Sequence, residues 1–130
     1  MDQEGISLTQ AEWSVMECLW AEGPLTGREV TARMEDRCGW SRSTTLTLLG
    51  RLETKGAVSG APDGKGPKVF SPVLRREDAA LRETEDFLGR VYHGSLSLMV
   101  SAMTQKQALS REELDQLYEL LKGLEGERHA

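Results

Sequence analysis

Arg42, Ser43 and Thr47 fall at a spacing that turns all three toward one side of a helix, and Leu46 falls among them. A guanidinium can pair with two acceptors on a guanine edge, and a hydroxyl can serve a base edge or a phosphate oxygen. Leu46 matches a thymine methyl, and Thr44 completes the opening turn of the set. Arg51 and Lys55 follow on the same helix, while Lys65 and Lys68 sit on a hairpin with a glycine-rich tip; these cations suit phosphate oxygens. The pattern supports reading duplex nucleic acid rather than making or breaking bonds. No nucleophile–base pair, carboxylate pair or phosphate-cradling glycine loop can be drawn, and the only histidines are His93 and His129. Cys18 and Cys38 have neither metal-ligand spacing nor the numbers for a disulfide framework. The expectation is a chain with no enzymatic activity, no metal and no cofactor.

The overall charge of −5 looks unsuited to a polyanionic partner until it is divided along the chain. Residues 37–72 hold six basic side chains, Arg37, Arg42, Arg51, Lys55, Lys65 and Lys68, against Glu53 and Asp63. The flanking segments are acidic. Contact with phosphate requires a local positive face, not a basic protein.

Helices must carry these groups. Thr9 and Glu12 form a capping-box pattern ahead of Trp13, Val15, Met16, Leu19 and Trp20, which recur at helical spacing until Glu22-Gly23-Pro24. A second box, Thr26 to Glu29, opens a helix that ends near Cys38-Gly39. The third helix spans about 41–55 with Ser41 as N-cap, turning Thr45, Leu48, Leu49 and Leu52 inward. Gly50, on its outer face, weakens it and leaves room for close approach. Two β-prone runs around Ala61-Pro62-Asp63-Gly64-Lys65-Gly66-Pro67 read as a hairpin. Three helices followed by a hairpin is winged helix-turn-helix order. The predicted fold is mainly α with a small β-hairpin: residues 1–72 bind DNA and residues 73–130 form a helical dimerisation region.

In that second region, 76–92 reads as an amphipathic helix, Tyr92-His93-Gly94-Ser95 as a break, and 96–109 as strongly apolar. Ser110 and Glu113 form a third capping pattern before a leucine-rich last helix. Phe87, Val91, Tyr92, Leu96, Met99, Val100, Met103, Leu114, Leu117 and Leu121 are expected at a twofold interface between two copies of the chain. No apolar run reaches the roughly 20 residues that span a bilayer. The opening Met1-Asp2-Gln3-Glu4 is acidic where a signal peptide is basic, so a cytoplasmic protein is expected.

The string Ser7-Leu8-Thr9-Gln10-Ala11-Glu12-Trp13-Ser14-Val15-Met16-Glu17-Cys18-Leu19-Trp20 resembles the first helix of the penicillinase repressor family, the BlaI/MecI/CopY group. Trp40-Ser41-Arg42-Ser43-Thr44-Thr45, Leu49, Arg51-Leu52, Lys55-Gly56, Phe87-Leu88-Gly89-Arg90-Val91-Tyr92-His93-Gly94-Ser95-Leu96 and Glu112-Glu113-Leu114 extend the likeness over about 6–124. The resemblance implies a homodimeric repressor that holds a palindromic operator. It also implies release by cleavage within the dimerisation helices, at Ser101-Ala102. The signal would come from a membrane sensor-transducer metalloprotease of the BlaR/MecR kind, as in β-lactam signalling. The copper-responsive branch ends in a cysteine-rich site, whereas this chain has no cysteine after Cys38, so the BlaI/MecI-like branch fits better. Two other readings compete: a winged-helix module for protein partners, and a repressor that responds to a small molecule.

Overall fold

The computed structural model describes residues 5–129; the acidic opening, residues 1–4, lies outside them. The Thr9 hydroxyl accepts from the Glu12 N–H at 3.1 Å and the Glu12 carboxylate accepts from the Thr9 N–H at 2.8 Å. Helix α1 (Gln10–Glu22) therefore starts with two of its free donors satisfied. The same reciprocal pair, Thr26 with Glu29, opens α2 (Gly27–Cys38), and Gly39 closes it at φ 70°. Ser41 caps α3 (Arg42–Lys55), which ends on Gly56 at φ 81°.

Strands β2 (Val58–Pro62) and β3 (Lys68–Pro72) form the expected hairpin, paired antiparallel from Val58 opposite Pro72 to Pro62 opposite Lys68. A third strand, β1 (Leu25–Thr26), pairs with the far edge of β3, Leu25 opposite Phe70. The sheet order is β1-β3-β2, and β1 carries no signal in the sequence. Such a two-residue strand exists only through its partner. The core joins Val15, Met16 and Leu19 of α1, Val30 and Met34 of α2, and Leu48, Leu49 and Leu52 of α3. Trp13, Trp20 and Trp40 pack around it, the first two as helical spacing suggested.

This first compact unit runs past Pro72 to Asp86. Leu74 and Ala79 lie in its core, and the Trp20 indole donates to the Leu74 carbonyl at 2.9 Å. Arg76, at the start of α4 (Arg76–Tyr92), lies 5.7 and 5.9 Å from the Trp13 and Trp20 rings and pairs with Glu17 at 2.9 Å. Guanidinium stacking of this kind, with burial of Leu74, fastens the start of α4 to α1.

The second unit begins at Phe87. It holds the end of α4, then α5 (Leu96–Gln105) and α6 (Arg111–His129). The break between α4 and α5 falls where expected, with His93 and Gly94 at φ 52° and 82°. Ser95 caps α5 and Ser110 accepts from the Glu113 N–H. No residue from 87 to 126 is buried. Among the described residues no helix is long and apolar enough to cross a membrane.

Candidate nucleic-acid interface

Helix α3 presents two faces. Thr45, Leu48, Leu49 and Leu52 are buried, whereas Arg42, Ser43, Leu46, Thr47, Gly50 and Arg51 are exposed. Thr44 is exposed but belongs partly to the cap: its N–H donates to Ser41 Oγ, and its Oγ1 accepts from the Ser41 hydroxyl at 3.0 Å. Leu46 is 38% exposed and leans over the first residue of α2, where a Cβ on Gly27 would lie 3.6 Å from Leu46 Cδ2. It is thus half packing residue and half surface.

The six cations of the basic segment divide by their partners. Lys55 departs from the phosphate role expected of it. Its ammonium lies 2.6 Å from Glu12 Oε1 and 2.9 Å from the Ser7 carbonyl, fastening the end of α3 to the start of α1. Burial pushes the Glu12 carboxyl up, but hydrogen bonds from Lys55 and the Thr9 N–H, with the Lys55 charge, outweigh it and hold the group below its ordinary 4.5. Arg37 and Arg33 both pair with Glu22. Lys68 pairs with Glu53 at 2.8 Å and lies 5.2 Å from the Phe70 ring centre. Gly60 leaves room for the lysine in this position. A Cβ there would sit 2.3 Å from Lys68 Cε and 3.0 Å from Glu53 Oε2, blocking the path of the lysine across the hairpin.

Arg42, Arg51 and Lys65 have no ion-pair or hydrogen-bond partner among the described residues. Arg28, in the first turn of α2, shares that property and was missed in the sequence because its segment is acidic overall. The signal available was its place just after the Thr26-Gly27 start of the first helix of the helix-turn-helix pair. Cys18 is buried, and burial pushes its thiol pKa up; Cys38 is exposed. The expected cleavage pair, Ser101 and Ala102, lies within α5, Ser101 exposed and Ala102 half-buried.

The sequence profile of the penicillinase repressor family matches residues 8–123. The penicillinase repressor of Bacillus licheniformis is 32% identical over 114 residues, 88% of each protein. The methicillin resistance regulatory protein MecI of Mammaliicoccus sciuri is 26% identical over 121 residues, 93% of this chain and 98% of that protein. The solution structure of the DNA-binding domain of the repressor BlaI superposes with a TM-score of 0.50 at 30% identity, over 55% of this chain and 85% of that one. The Bacillus licheniformis BlaI monomeric form, solved in complex with the blaP half-operator, gives 0.51 at 29% identity, over 56% and 88%.

Proposed function

The chain belongs to the penicillinase repressor family, and on that premise we propose that it is a DNA-binding transcriptional repressor that holds a palindromic operator as a homodimer. The family is one of transcriptional repressors, which are not enzymes. The observation that carries the reading is the outer face of α3. Ser43, Leu46 and Thr47 are open there, framed by Arg42, Arg51 and Lys65, which no acid among the described residues neutralises. The first two turns of α3 enter the major groove, where hydroxyls and the leucine meet base edges. Arg51 and the wing-tip Lys65 meet phosphates on either side. That a relative 29% identical was solved in complex with a half-operator supports DNA binding by the head.

The second unit joins two copies. Leu96, Leu98, Met103, Leu114 and Leu121 are exposed on helices that bury nothing of their own, and a twofold mate offers the same patch in return. Joining two heads makes the second half-site encounter intramolecular and raises affinity without new contacts. Release follows from cleavage in α5 at Ser101-Ala102, driven from a membrane sensor of the BlaR/MecR kind, which separates head from dimer. The repressor acts in the cytoplasm, beside its DNA.

Selection of bound fragments from the source genome with the purified full-length protein tests the reading. Enrichment of an inverted repeat with half-site centres about one helical turn apart, or a multiple of it, is expected. Recovery of fragments with no shared sequence would overturn it.

A further inference from the structure

Between the start of α2, the start of α3 and strand β3 of the wing lies a cleft of about 400 Å³ whose lining includes Arg28, Arg42, Lys68 and Phe70. Arg28 and Arg42 stand in the first turns of their helices, where the helix dipole already presents positive charge. Each placement is unfavourable within the chain. Neither guanidinium has an ion-pair or hydrogen-bond partner among the described residues, and the first turn of α3 carries no acid. The nearby Glu29 is turned back onto the Thr26 N–H at 2.9 Å, where it caps α2. Lys68 gives one donor to Glu53 and keeps two. Three cations and two helix starts thus converge on one cleft, and an external anion reverses the sign of every unfavourable term.

We propose that Arg28, Arg42 and Lys68 clamp one phosphodiester group of the DNA backbone. This rests on the repressor reading above and deepens it. Arg28 becomes a DNA-contacting residue, and Arg42, expected from the sequence to read a base, serves the backbone. The clamp holds α2 and the wing on the same strand and sets how far α3 enters the groove. Sequence preference is left to Ser43, Leu46 and Thr47.

The test titrates the full-length protein with two duplexes of equal length, the inverted repeat recovered by selection and a scrambled one. Salt runs from about 50 to 200 mM. Arg28→Gln and Arg42→Gln should each weaken both duplexes by a similar factor, roughly tenfold, as expected for a lost charged hydrogen bond. Their preference for the inverted repeat should not change. The double variant should lower the salt slope by about one rather than two, because a single phosphate is involved. Arg28→Lys should keep most of the affinity. Both side chains are exposed and without a partner among the described residues, so unchanged melting curves will show the variants folded. Wild-type affinity in Arg28→Gln, or an altered base preference in Arg42→Gln, would overturn the clamp. Failure of the wild-type protein to bind either duplex is a different result; it would strike the repressor reading itself.

Discussion

Lys55 and Arg42 stand at opposite ends of α3 with the same charge and different surroundings. Lys55 closes on buried Glu12; Arg42 faces out with nothing among the described residues to neutralise it. Counting charges along the chain located the basic segment but could not tell these two apart. Partners such as Glu12, 43 positions from Lys55, are set by the tertiary fold. The same limit hid Arg28, a cation inside an acidic stretch. Lys55→Met should therefore cost stability, about 1–2 kcal/mol, rather than DNA affinity. The sign with pH follows from Glu12. Its carboxyl is held below 4.5 in the folded protein, so the pair contributes fully above that value and its contribution fades as pH falls through the folded pKa. The penalty in Lys55→Met should be largest near neutrality and shrink in acid. Urea unfolding at several pH values measures it. A variant as stable as wild type at neutral pH, but weaker on DNA, would return Lys55 to the phosphate contacts.

At the scale of elements, the helices were legible because their signals are local. Both threonine capping boxes, the glycines after α2 and α3, and the inward stripe of α3 lie within a few residues of what they determine. Strand β1 was not legible, since two residues carry no periodicity and only Val69 and Phe70 make them a strand. Gly50 marks a different tension. It sits mid-helix on the outer face of α3, and a Cβ there would meet nothing within 4 Å. Gly50→Ala should raise the unfolding free energy by about 1 kcal/mol, the helix-propensity difference. Thermal melting of the full-length protein reads it as a shift upward of several degrees. A lower melting temperature would mean that the glycine answers a packing need the open surroundings do not reveal.

At the scale of the molecule, the chain divides into a head with a core and a tail without one. The sequence placed the boundary after Pro72, where the hairpin ends, but the head's compact unit extends to Asp86. Leu74 and Ala79 fill its core, and Arg76 lies over Trp13 and Trp20. Nothing in the local pattern of 73–86 distinguishes a helix that packs on α1 from one that packs on a second chain. The tail's leucines, by contrast, were legible as apolar side chains that the tail does not bury, and none of its residues to 126 is buried. The central claim is that two heads act on one operator because two tails join. Sedimentation of the full chain and of residues 1–86, each alone and with a duplex carrying the inverted repeat, tests it most directly. A full-length dimer that places two chains on one duplex is expected. So is a monomeric head that loses most of the affinity while keeping a weak half-site interaction. A full-length monomer, or a head that holds the inverted repeat as tightly as the whole protein, would contradict it.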